Sequence, residues 1–111
     1  MNIEEIRHYC LAKKGTTESF PFDETTLVFK VMNKMYALLS LSVPHSMNLK
    51  CDPERAIELR EEYEEIKAGY HMNKKHWNTI IIDGLSLKQM QKWIDHSYQL
   101  VWDKLPRKIK N

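Results

Sequence analysis

Leu27-Val28-Phe29-Lys30-Val31-Met32-Asn33-Lys34-Met35-Tyr36-Ala37-Leu38-Leu39-Ser40-Leu41-Ser42 is the stretch whose reading decides the fold. Leu27, Phe29 and Val31 alternate with Val28, Lys30 and Met32. Met35, Ala37, Leu39 and Leu41 alternate with Tyr36, Leu38, Ser40 and Ser42. Alternation with period two marks a strand that lays one face on a core. Strands are therefore predicted over 27–32 and 35–42. Asn33-Lys34 between them reads as a two-residue hairpin turn, because Asn tolerates positive φ.

Working outward, Pro44-His45-Ser46 is a second turn, and 47–51 a third strand. That strand sets Met47, Leu49 and Cys51 on one face and Asn48 and Lys50 on the other. The three strands form an antiparallel meander. Upstream, 16–26 carries Ser19-Phe20-Pro21-Phe22-Asp23 and is predicted as a turn-rich connection opening on a short edge strand. Before it lies a helix over 2–14. Asn2 caps it, Glu5 completes a capping box, Ile3, Ile6 and Cys10 form its apolar stripe, and Gly15 stops it.

Beyond the meander, Asp52-Pro53-Glu54 is a strong helix start, with Ala56, Leu59 and Tyr63 as the buried stripe. Residues 67–77 fit neither period. A last strand is predicted over 78–82 and ends at Asp83-Gly84. Ser86 then caps a long helix reaching Lys104, with Gln89 completing a second capping box. Its stripe is Leu87, Met90, Ile94, Val101 and Leu105, with Tyr98 beside it. Pro106 ends it, leaving the basic tail Arg107-Lys108-Ile109-Lys110-Asn111. The expected architecture is α+β in two layers. The antiparallel sheet carries N-terminal, middle and C-terminal helices, and residues 1–111 form a single domain.

Composition narrows the function classes. In 111 residues, 17 Lys and Arg stand against 15 Asp and Glu, a net charge of +2, so any strong field must come from local clustering. The apolar run Tyr36-Ala37-Leu38-Leu39, even with Met35 before it, is far short of the ~20 residues a membrane span needs. Met1-Asn2-Ile3-Glu4-Glu5 lacks the basic-then-apolar profile of a secretory signal. A cytoplasmic location and no membrane partner are expected. Cys10 and Cys51 lack the close spacing of a metal or redox pair and read as buried thiols. Gly15, Gly69 and Gly84 are isolated, so no phosphate loop and no cofactor is expected.

His71 and His76 are five apart, with Asn73, Lys74 and Lys75 between them. Helical metal ligands want i, i+4 spacing, and two lysines repel a dication, so no metal site is expected. Asp95-His96-Ser97 has the composition of a catalytic triad. Consecutive helical residues point ~100° apart and cannot relay a proton, so Ser97 and Tyr98 are expected to pack or hydrogen-bond against the sheet. No catalytic residue and no enzyme activity are expected.

Charge clusters remain. Residues 54–65 carry six acids and two arginines, read as a solvated helix face or as an acidic patch for a basic partner or an iron ion. Cations gather at Lys30 and Lys34, at Lys67, Lys74 and Lys75, and at Lys104, Arg107, Lys108 and Lys110. Tyr70 and Trp77 interleave with the middle group and either stack on bases or anchor the loop in the core.

Gly69-Tyr70-His71-Met72-Asn73-Lys74-Lys75-His76-Trp77 resembles the central signature of the MmcQ/YjbR family of small bacterial proteins. Pro21-Phe22, Val28-Phe29-Lys30-Val31, Lys34-Met35-Tyr36-Ala37, Leu49-Lys50, Asp52-Pro53-Glu54 and Ser97-Tyr98 with Leu100-Val101 resemble further family elements in the same order. The chain departs from the family pattern at Ala68, Asn33 and Asp23, all turn positions. The resemblance implies a CyaY-like fold and a DNA-binding role in which hairpin or loop wings approach a duplex. On that reading Lys30, Lys34, Lys67, Lys74, Lys75, Arg107 and Lys108 neutralise phosphates with weak sequence specificity. Gly69, Tyr70, His71, His76 and Trp77 form a structural signature loop. The alternative is a protein-interaction or chaperone-like module without nucleic-acid binding, its partner docking on the acidic helix 53–65 or on an exposed sheet face.

Overall fold

In the computed structural model, which describes residues 2–110, the central turn falls one residue earlier than predicted. Strand β2 (Thr26–Val31) pairs with β3 (Lys34–Ser40), and Val31 faces Lys34 across the turn. The turn residues are thus Met32 and Asn33, with φ of 47° and 67°. A two-residue turn that matches strand twist needs positive φ at both central positions. Asn33 adopts it readily, and Met32 is drawn into it, its Sδ-methyl lying over Gly15. A Cβ on Gly15 would stand 2.8 Å from that methyl, and Gly15 itself has φ 75°.

Register in this hairpin carries a second surprise. Phe29 faces Ala37, but Lys30 faces Met35, so Tyr36 is an extra residue, a β-bulge. Strict alternation places Tyr36 on the same face as Leu38. The bulge turns it instead to the face of Ala37 and Leu39, where it is fully buried. Met35 goes to the opposite face beside Val28 and Leu38.

The sheet has six antiparallel strands in the order β1-β2-β3-β4-β6-β5, with β1 (Thr16–Ser19), β4 (Ser46–Lys50), β5 (Ile66–Ala68) and β6 (Trp77–Ile81). The first four make the expected meander, and β1 is the expected edge strand. The chain then leaves through helix α2 (Pro53–Glu62) and returns as β5 at the far edge, and β6 fits between β5 and β4. Strand β5 was not legible because three residues are too few to show a period. Helix α1 (Ile3–Leu11) ends at cap Ala12, short of the expected stop at Gly15. Both capping boxes form, Asn2 with Glu5 and Ser86 with Gln89. Helix α3 (Leu87–Asp103) has the predicted extent, and the basic tail forms a short helix α4 (Arg107–Lys110).

All three long helices lie on one face. Helix α3 crosses β3 and β4, α1 lies beside it near β1, and α2 covers β5 and β6. Their stripes meet the sheet in one core of Ile6, Phe29, Tyr36, Leu39, Met47, Ile80, Met90 and Ile94, each at most 1% exposed. The sheet's other face carries a second, smaller apolar cluster of Val28, Leu38 and Trp77, edged by Met35 and Met72.

Candidate nucleic-acid interface

The signature loop lies across this second face. Gly69 donates its N–H to the Trp77 carbonyl at 2.8 Å. A Cβ on Gly69 would come within 2.8 Å of the Trp77 Cβ, so the close approach requires glycine. Trp77 is buried on Val28 and Leu38 and anchors the loop. Tyr70 does so only through its backbone, its N–H donating to Thr79 Oγ1 at 2.9 Å. Its exposed ring lies 4.0 Å, centroid to centroid, from that of His71, which is also exposed and anchors nothing. Tyr70 is 69% exposed. The His76 carbonyl accepts the Cys51 N–H, tying the loop to the end of β4. No three His, Cys, Asp or Glu side chains cluster as a metal site among the described residues.

Arg60 is the residue that sequence reasoning missed. Counted there among the charges of a solvated helix, it turns inward from α2. Its Nε donates to Asn78 Oδ1 at 2.6 Å, and its Nη2 reaches the Trp77 carbonyl at 3.4 Å and the Lys74 carbonyl. Asn78, 1% exposed, passes the connection on by donating to the Ala56 carbonyl. No periodicity signals this, because the three partners come from the loop before β6 and from β6 itself, 14 to 18 residues away. Elsewhere on α2, Arg55 reaches Glu62 at 3.9 Å, and Glu54, Glu58, Glu61 and Glu62 are exposed.

Strand direction decides where the cations gather. The β2–β3 turn, the end of β4 and the start of β6 lie at the same end of the sheet, by the pairs Val31 with Lys34 and Lys50 with Trp77. Lys34 sits at that turn, and Lys74 and Lys75 lie just ahead of Trp77. Helix α3 also points there: Ser97 meets the Lys50 amide, and the Lys104 charge, with burial the larger cause, lowers the Lys50 pKa. Arg107 and Lys108 follow three and four residues on. Lys30, opposite Met35, stands near the same end on the open face, whereas Lys67, opposite Thr79, lies farther along it. None of these seven predicted cations pairs with a carboxylate among the described residues. Lys74 differs from the rest in that its Nζ donates to the Gly69 carbonyl at 3.1 Å and folds back on its own loop. Acids crowd the opposite end: Glu4 and Glu5 open α1, Asp23 and Glu24 precede β2, Glu64 and Glu65 precede β5, and Asp83 follows β6.

The triad-like residues diverge as expected. Asp95 accepts from Tyr9 Oη at 2.6 Å and pairs with Lys13, while His96 Nε2 accepts the Asp52 N–H at 3.2 Å. Ser97 bonds to the sheet. Both cysteines are free and buried, and burial pushes their thiols up, Cys51 to about 11 and Cys10 to about 12. They are therefore protonated and unreactive at neutral pH. No helix among the described residues is long and apolar enough to cross a membrane.

The family model YjbR matches residues 11–100. The Escherichia coli (strain K12) protein YjbR is 33% identical over 108 residues, spanning 96% of this chain and 92% of its own. The crystal structure of Deinococcus radiodurans protein DR2400 superposes with a TM-score of 0.91 at 38% identity, covering 98% of this chain and 85% of that one. A crystal structure of a Pseudomonas syringae protein gives a TM-score of 0.78 at 30% identity over 90% of this chain and 98% of its own.

Proposed function

This chain belongs to the YjbR family, and from the charge geometry of its fold we propose that it is a non-enzymatic protein that binds duplex DNA through the basic end of the sheet. The observation that carries this reading is the convergence of unpaired cations from separate parts of the chain. The β2–β3 turn, the loop before β6 and the end of α3 supply Lys34, Lys75, Arg107 and Lys108 to one end, which also carries Asp52, Glu54 and Asp103. Glu4, Glu5, Asp23, Glu24, Glu64, Glu65 and Asp83 lie at the other. With a net charge of only +2, the attraction to a polyanion rests on this local cluster of cations. Flexible side chains on turns and loops suit phosphate contacts, and no helix among the described residues offers a row of base-reading Arg or Asn, so binding is weakly specific. Two buried, free thiols and a DNA partner fit a cytoplasmic location.

A second reading has an observation of its own. Phe20, Phe22 and Val43 are 49%, 64% and 82% exposed near the acidic end, and such surface suits a protein partner. Anisotropy of a labelled random duplex, titrated across salt, separates the two. Contact with ~4 phosphates gives a log–log salt slope near −3.6, with affinity on the order of 10⁻⁴–10⁻⁶ M at physiological salt. Absence of salt-sensitive binding even at ~50 mM salt removes the DNA reading and leaves the protein-partner reading.

A further inference from the structure

On the helix-covered face, α2 and α3 part to leave a cleft that runs down to the sheet, with a volume of about 240 Å³. Its floor is closed by core residues, Leu49 and Ile80 of the sheet and Leu59 of α2, with the buried Asn78 amide beside them. Tyr63 and Trp93 close one part of it, their rings 5.2 Å apart in an edge-to-face arrangement. The rim is cationic. Arg55 projects from α2 and Lys92 from α3, and not one Asp or Glu lines the cleft. Arg55 has only the distant Glu62 at 3.9 Å, and Lys92 has no carboxylate partner among the described residues. His96, also at the wall, spends Nε2 on the Asp52 amide, so the neutral ring keeps its proton on Nδ1 as a donor.

Aromatic walls above an apolar floor hold a flat hydrocarbon body. Lys92, without a carboxylate partner among the described residues, together with Arg55, which has only its exposed 3.9 Å contact to Glu62, calls for one negative charge at the mouth. Size fits as well, since an apolar cavity of ~150 Å³ takes up benzene. We propose that this cleft binds a small aromatic monocarboxylate, its ring against Tyr63 and Trp93 above the closed floor and its carboxylate between Arg55 and Lys92. The site lies across the sheet from the signature loop and is independent of the DNA reading. Cys51 lines the same wall as a protonated thiol, so the ligand is held non-covalently.

The test is a titration of the ¹⁵N-labelled protein with phenylacetate, followed by amide chemical shifts, with phenylacetamide as the uncharged control. Saturable shifts are expected at Leu49, Leu59, Ile80 and Trp93. Phenylacetamide should bind roughly tenfold more weakly, the effect of losing one hydrogen bond to a charged group. Lys92→Ala, an exposed change that leaves the core intact, should weaken phenylacetate by a similar factor and leave phenylacetamide unaffected. Equal binding of acid and amide, shifts confined to other surfaces, or no saturation at millimolar phenylacetate would each overturn the proposal.

Discussion

Ser97, in the middle of α3, donates its hydroxyl proton to the Tyr36 carbonyl at 2.5 Å and accepts the Lys50 amide at 2.8 Å. One small side chain thereby serves two strands. The bulge at Tyr36 disrupts the ladder locally and leaves a main-chain carbonyl to be satisfied, and burial without a partner is costly. The next residue, Tyr98, packs edge-on against the Tyr36 ring at 5.2 Å and donates to the Lys14 carbonyl. The Ser97-Tyr98 pair of the family resemblance thus has a physical task, to seat the final helix on the bulge.

Ser97→Ala should cost about 2 kcal/mol, because it strands a buried carbonyl and an amide together. Urea unfolding measures this. A loss of only a few tenths would mean that water or a local shift replaces the hydroxyl.

Ile94 is completely buried on α3. Ile94→Asp puts an unpaired carboxylate into the core and should destabilise by several kcal/mol, on the order of other buried unpaired charges. A thermal melt close to that of the wild type would contradict the assigned helix face.

Gly69→Ala should push Trp77 off the second apolar cluster, because the new Cβ meets Trp77 at 2.8 Å from its Cβ and 2.9 Å from its carbonyl oxygen. About 1–3 kcal/mol is the usual cost of such overpacking. The expected signature is a lowered melting temperature together with loss of amide protection over residues 69–77. Unchanged protection there would show that the loop relaxes without releasing Trp77.

Arg7 holds Glu18 in a two-point contact at 2.8 and 2.6 Å, and this hydrogen bond keeps the Glu18 carboxyl below the usual carboxylate range. A carboxyl whose pKa is lowered by folding contributes stability above its unfolded pKa and loses it as pH falls through the folded value. Glu18→Gln should therefore lower the melting temperature at pH 7, and the gap from wild type should close as pH falls below the ordinary carboxylate range and through the lowered Glu18 value. A gap that stays constant with pH would assign the effect to packing.

Lys34 and Lys75 stand at the basic end without a carboxylate partner among the described residues, whereas Lys74 is engaged by Gly69. Lys34→Ala with Lys75→Ala should weaken all duplex sequences about equally and flatten the salt slope by up to ~2 units. Glu61→Gln with Glu62→Gln, at exposed positions of α2, should leave binding unchanged or slightly stronger. Equal losses from both pairs would point to a general folding defect rather than phosphate contacts.

What the sequence by itself determined is the part of the fold written in local periods. Alternation at 27–32 and 35–42, the stripes of α1, α2 and α3, and the caps Asn2, Asp52 and Ser86 each depend on residues a few positions apart. Such signals survive without knowledge of what lies across the chain. The tertiary structure alone decided the bulge that buries Tyr36, the inward turn of Arg60 and the insertion of β6 between β4 and β5. It also decided that the β2–β3 turn with Lys34 and the loop with Lys75 share one end of the sheet. The physical reason is that these features depend on partners distant in sequence. Ser97 meets Tyr36 across 61 residues, and Arg60 meets Asn78 across 18. Only the folded sheet, with its strand directions fixed, brings such partners within hydrogen-bonding reach.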